Sequence, residues 1–233
     1  MFCIKIADVP IGIGNRYPFI YRQCKGYITD SDEPEFTVRV SEEEILEEQK
    51  GDMRFSNGYC ESLCLYRKIC SKLPAYGAFL MHSAVIAVDD VAYVFSAPSG
   101  VGKTTHIRLW LEQFGQRARV VNGDKPIFRF VGETLYACGT PWKGKEDMGS
   151  NIMCPVQAIC FLEQSPQNHI RPLSMEEVTG RIFHQILIPK DQEDFDCFWP
   201  LLEKMMTMVD FYLLQCNRKP EAAQLAYRTM RRK

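Results

Sequence analysis

Ser99-Gly100-Val101-Gly102-Lys103-Thr104-Thr105 is the stretch whose residue types and spacing best fit a chemical task. It matches G-x-x-x-x-G-K-[ST], with Ala97 where the first glycine is usual. The group such a turn answers is a polyphosphate. Its crowded negative charge needs converging donors, and a glycine-containing turn can aim successive backbone N–H groups at phosphate oxygens. A helix that starts where the turn ends adds its positive terminus. On this reading Ser99 to Thr105 bind ATP: Lys103 reaches the β- and γ-phosphates and the Thr104 hydroxyl joins the shell of a Mg²⁺ ion. Ala97 is small enough to leave the loop entrance open.

Binding ATP is not yet a reaction. Asp124 closes the short strand Arg119-Val120-Val121 and its Asn122-Gly123 turn. A carboxylate there can hold Mg²⁺ or take a proton from an attacking hydroxyl. The plainer alternative is a turn aspartate that steadies Asn122-Gly123. His82 lies in an apolar run next to the loop strand, where it can approach the γ-phosphate or an acceptor; a buried histidine satisfied by a carbonyl fits equally well. In the polar stretch Gly139 to Asn151, Lys143, Lys145 and Glu146 are candidates to meet a phosphate and a metal, and Trp142 to cover an acceptor or the base. An ordinary surface loop is the alternative. His106, His169 and His184 have no partners at telling spacings.

These residues need elements to hold them. Val91 to Phe95 reads as the strand before the loop and His106 to Phe114 as the helix after it. Phe79 to Val88 reads as one strand, joined to the next by an Asp89-Asp90 tight turn. Two adjacent strands therefore precede the helix, where a common nucleotide-binding α/β sheet would have a crossover helix. Ile127–Phe130 and Leu135–Cys138 form a hairpin across Gly132-Glu133, and Val156–Leu162 is another strand. Ser174 and Glu177 stand at capping-box spacing. Phe198–Met208 reads as a helix, Val209–Cys216 as a strand, and Pro220 opens a last helix. Residues 1–57 read as a small β-rich module and 58–233 as the nucleotide-binding domain. Within the module Phe36–Val40 alternates as a strand, Ser41 and Glu44 form a second capping box, and Gly12-Ile13-Gly14 reads as a turn. Gly58 to Leu73 is helical, stopped by Pro74.

Composition narrows the partners. The chain has 233 residues, 46% hydrophobic and 12% aromatic, enough for a substantial core. A formal net charge of −1 argues against a nucleic-acid partner. The basic group Arg228, Arg231, Arg232 and Lys233 reads as a solvated tail. No run of about 18 apolar residues suggests a membrane span, and no signal peptide is visible, so a cytoplasmic location is expected. Ten cysteines in a chain of this size read as free, mostly buried thiols. That includes Cys60, Cys64 and Cys70, whose spacing lacks a metal-binding pattern.

The stretch from Leu80 to Asp124 resembles the catalytic core of the HPr kinase/phosphorylase family. Ser99 to Thr104 match its loop, His82 its strand histidine, and Asp124 the second member of its acidic pair, which acts as general base. The resemblance implies an α/β fold with a mixed sheet, like that of phosphoenolpyruvate carboxykinase rather than of the usual P-loop NTPases. Three departures stand out. Gly123 replaces the first acidic residue, an Arg-Gly-Leu-Gly-type signature is absent, and the family's N-terminal domain has no counterpart. They suggest a short paralogue. The implied activity is a Mg²⁺-dependent kinase: Lys103 and the loop amides hold phosphates, Thr104, Asp124 and Glu146 serve the metal, and Asp124 deprotonates a serine-type hydroxyl of a peptide, protein or small molecule. A homo-oligomer is left open. The alternatives are a nucleotide-dependent binding module without transfer, favoured by the lost carboxylate, and a phosphorolytic or carboxykinase-like activity, whose metal-ligand set is incomplete here.

Overall fold

A hairpin opens the chain. Strands β1 (Phe2–Ile6) and β2 (Val9–Gly14) pair antiparallel across Ala7-Asp8, whose φ values of 49° and 55° are those of a tight hairpin turn. The computed structural model describes residues 1–30 and 33–231. Helix α1 (Pro18–Gln23), strand β3 (Ile28–Thr29), strand β4 (Phe36–Arg39) and helix α2 (Glu42–Gln49) follow. They complete a four-stranded sheet of order β3-β1-β2-β4. Gly12 and Gly14 are not a turn but part of β2. They lie beside Thr37 and Arg39 of β4, and a Cβ at either position would run into those side chains. The glycines are required by close packing across the pair. The Ser41/Glu44 capping box is complete, with bonds of 3.2 and 2.8 Å.

Helix α3 (Asn57–Lys72) closes this layer. Its buried face (Cys60, Leu65, Tyr66, Ile69) shares one hydrophobic cluster with Ile4, Ile11 and Val38 of the small sheet, with Ile20 of α1, and also with Ile127, Cys138 and Trp142. The core thus runs across the expected division at residues 57 and 58. Glu61 is fully buried and accepts from the backbone N–H groups of Arg16 (2.5 Å) and Tyr17 (3.0 Å), so its charge is met by donors in the chain leading to α1. All ten cysteines are free, and Cys60, Cys64 and Cys70 lie in the core.

The larger sheet comprises β5 (Ala78–Leu80), β6 (Ala84–Val88), β7 (Val91–Ser96), β8 (Ala118–Asn122), β9 (Ile127–Val131), β10 (Thr134–Cys138), β11 (Met153–Gln164), β12 (His169–Pro172) and β13 (Asp210–Cys216). Its order is β5-β9-β10-β11-β7-β6-β8, with β13 on β11 and β12 on β13. Two features decide its shape. β11 begins antiparallel to β10, then passes a bulge between Val156 and Ala158 and continues parallel to both β7 and β13. The apolar run expected to be one strand is two: β5 pairs with β9 and β6 with β7 and β8. Met81, His82 and Ser83 form the break, where Met81 bridges Ile186. His82 therefore lies off the strand, because the chain changes neighbours there. The Asp89-Asp90 turn is as expected, with φ of 51° and 64°.

Helix α4 (Lys103–Phe114), which follows the loop, and helix α7 (Glu221–Met230) bury one face of the sheet through Ile107, Trp110, Ala222 and Ala226. Helices α5 (Met175–Ile182) and α6 (Gln192–Met208) bury the other through Val178, Ile182, Phe198 and Leu202. The mixed α/β architecture with a small N-terminal sheet matches the sequence expectation. Among the described residues no helix is long and apolar enough to cross a membrane. Arg231 lies 5.5 Å from the Tyr227 ring, whereas Arg232 and Lys233 lie outside the described residues.

Candidate active site

The loop between β7 and α4 has the backbone its glycines predict. Gly100 and Gly102 hold φ of +84° and +122°, with no atom within 4 Å of where a Cβ would stand. Conformation, not crowding, demands glycine there. Gly102 is the N-cap of α4, and its carbonyl accepts the His106 N–H at 2.9 Å. Ser99 and Gly100 are exposed, Val101, Thr104 and Thr105 half-buried. Lys103 is 8% exposed and curls back to donate to the Ala97 carbonyl at 2.7 Å. Burial lowers its pKa, which the Asp124 charge opposes and the Lys125 charge reinforces. The charges of Asp124 and Lys125 therefore both reach the lysine of the loop.

Asp124 is fixed by an Asx turn at the end of β8. The Oδ1 of fully buried Asn122 accepts the N–H groups of Asp124 (2.9 Å) and Lys125 (2.7 Å), while its Nδ2 donates to the carbonyl and hydroxyl of Thr140. The Asp124 carbonyl accepts the Ser83 N–H at 3.2 Å, joining it to the break that carries His82. There the His82 carbonyl accepts the Ser96 hydroxyl at 2.9 Å and its N–H donates to the Gln185 carbonyl at 2.6 Å. With both backbones held, His82 Nε2 meets Asp124 Oδ1 at 3.1 Å, and Lys125 Nζ pairs with Oδ2. Burial alone would raise the Asp124 pKa. Hydrogen bonds from His82 and Lys125 outweigh it and hold the carboxyl at about 2.

The segment from Gly139 to Asn151 passes over this carboxylate. Gly144, at φ +76°, lies so close that a Cβ would stand 2.8 Å from that of Asp124. The carbonyls of Met148 and Lys143 crowd Gly123, whose own N–H donates to Met148 at 2.8 Å. The acidic residue expected at position 123 is thus replaced by space that the loop uses. Trp142 covers neither an acceptor nor a base: it is 4% exposed, stacked on Tyr66 at 4.1 Å, and donates to the Ser62 hydroxyl at 2.9 Å. An indole of that size gains more from an apolar pocket with one acceptor than from an open cleft. Glu146 pairs with Arg108 of α4. Among the described residues no three His, Cys, Asp or Glu side chains cluster as a metal cage, so Glu146 does not join Asp124 and His82. Lys143 lies 3.8 Å from Asp147, and Lys145 is exposed.

Lys125 escaped the sequence reading, and Asn122, read there only as part of a turn, is the side chain that holds Asp124 in it. His106 is structural: it is buried, accepts from the Trp110 indole at 3.0 Å, and burial pushes its pKa down to about 3.

The sequence matches no protein-family model and no curated protein at significant similarity. Among solved structures the chain is similar to the Hpr(Ser) kinase/phosphatase from Coxiella burnetii, at 11% identity and a TM-score of 0.40, covering 64% of this chain and 94% of that one. A likeness that distant assigns no role to any residue.

Proposed function

We propose that this chain is an ATP- and Mg²⁺-dependent kinase that transfers the γ-phosphoryl group to a serine-type hydroxyl of a peptide, protein or small molecule. The observation that carries this reading is that one residue ties the glycine-containing loop to Asp124: the His82 carbonyl accepts the Ser96 hydroxyl just before the loop, and His82 Nε2 meets the Asp124 carboxylate at 3.1 Å. Loop N–H groups and Lys103 bind the phosphates. The Thr104 hydroxyl and the Asp124 carboxylate are oxygen donors suited to Mg²⁺, which keeps water and phosphate oxygens and takes few protein ligands. The ion supplies charge neutralisation when bound. As the hydroxyl oxygen bonds to phosphorus and the bond to the leaving ADP breaks, Asp124 takes the hydroxyl proton. His82, on Oδ1, orients that carboxylate. Neither nucleic acid nor membrane enters the reaction, and free buried thiols suit a reducing, cytoplasmic setting.

Labelled ATP with Mg²⁺, offered with free serine, serine-ended peptides and HPr, tests this. Transfer that disappears in Asp124→Asn, with ATP binding intact, supports the kinase and its base. Tight ATP binding without transfer to any acceptor supports the second reading, a nucleotide-dependent binding module. That reading is favoured by one feature, the closure of Gly144 and Lys125 over Asp124.

A further inference from the structure

We propose that Lys125 is a second phosphate-binding cation, which leaves Asp124 for the terminal phosphate of a nucleotide held in the loop. The inference rests on the nucleotide-binding reading above and adds a ligand that the loop motif does not contain.

The backbone of Lys125 is held from three separate parts of the fold. Its N–H donates to Asn122 at 2.7 Å, and its carbonyl accepts the Tyr66 hydroxyl from α3 at 2.7 Å and the Thr140 hydroxyl at 2.8 Å. None of these bonds uses the side chain. That side chain is about one-third exposed (35%) and, among the described residues, makes one ion pair, to the residue before it. So the fold fixes where the lysine stem starts and leaves its ammonium free to exchange partners. An ammonium on a flexible four-carbon stem suits such an exchange better than a guanidinium fork.

The pairing also has a chemical consequence. His82 occupies Oδ1 of Asp124 and Lys125 occupies Oδ2. Each oxygen keeps a second lone pair, but the Lys125 ammonium on Oδ2 competes there with a hydroxyl proton or a metal. A terminal phosphate carries more negative charge than one carboxylate and repels it. Arriving at the loop, which Ser96 and His82 tie to the Asp124–Lys125 pair, it draws Lys125 away. Oδ2 is then released in the complex that contains ATP.

The experiment is calorimetric titration of ATP and ADP, without metal, into wild type, Lys125→Met, Lys103→Met, Asp124→Asn and the Lys125→Met/Asp124→Asn double variant. Thermal melts verify folding, and Lys125→Gln replaces Lys125→Met if the latter fails them. The expected result is ATP affinity reduced about tenfold or more in Lys125→Met, the range of a hydrogen bond to a charged group, with ADP affected far less. Asp124→Asn should tighten ATP, and that gain should shrink when Lys125 is absent, a coupling the double-variant cycle measures. If Lys125→Met binds ATP as wild type does while Lys103→Met loses it, the pair is structural and the proposal falls. If wild type binds neither nucleotide, the nucleotide reading itself falls.

Discussion

The Tyr66 hydroxyl donates to the Lys125 carbonyl at 2.7 Å, so a helix of the small-sheet layer fixes the backbone one residue beyond Asp124. The Tyr66 ring also carries Trp142, from the segment that passes over the same carboxylate. The candidate base and the segment above it are therefore positioned by one side chain from another part of the chain.

Tyr66→Phe removes that donor and keeps the stacking. It should lower stability by about 1 kcal/mol, the usual worth of a buried hydrogen bond. Phosphoryl transfer should fall more than ATP affinity, because the change displaces Asp124 and not the loop. Urea unfolding and the split between kcat and ATP binding check this.

Trp142→Ala should be among the most damaging single changes, at about 3–5 kcal/mol, because it opens a cavity and strands the Ser62 acceptors. Trp142→Phe should cost less and retain the stack on Tyr66. A surface tryptophan would show almost no effect in the same denaturation series.

Asp124 makes stability depend on acidity. Its folded pKa of about 2 lies below the unfolded value of about 3.9. The contribution is thus present above about pH 4 and lost as the pH falls from about 4 through about 2. Asp124→Asn should flatten this part of the curve. Wild-type and variant unfolding free energies that run parallel between pH 5 and about 2 would contradict the pairing with His82 and Lys125.

Gly102→Ala places a side chain at φ +122° where no atom obstructs it. The strain is backbone only, on the order of 1–2 kcal/mol, and relief by reshaping the loop should abolish ATP binding. Gly144→Ala adds steric contact with Asp124 to a φ of +76°. It should displace the segment above the carboxylate and lower the melting temperature while ATP binding persists.

Much of the fold was legible because it is written locally. The loop needs Gly100 and Gly102, the helix starts need Ser41 with Glu44 and Ser174 with Glu177, and the Asp89-Asp90 and Gly132 turns need residues that accept positive φ. Each depends on neighbours a few positions away. The break at His82 was not legible, because an apolar run reads alike whether it keeps one partner strand or changes from β9 to β7. Gly12 and Gly14 look like turn residues until the Thr37 and Arg39 side chains stand beside them.

The sequence by itself determined a strand, a glycine-containing turn and a helix, and named Asp124 and His82 as candidates. Only the tertiary structure decided that those two side chains meet, 42 positions apart, that Lys125 occupies the second carboxylate oxygen, and that Trp142 is core. The reason is physical. Backbone conformation answers to the residue and its near neighbours, whereas the partner of a polar side chain answers to which distant elements the sheet order and the packing of α3 bring together.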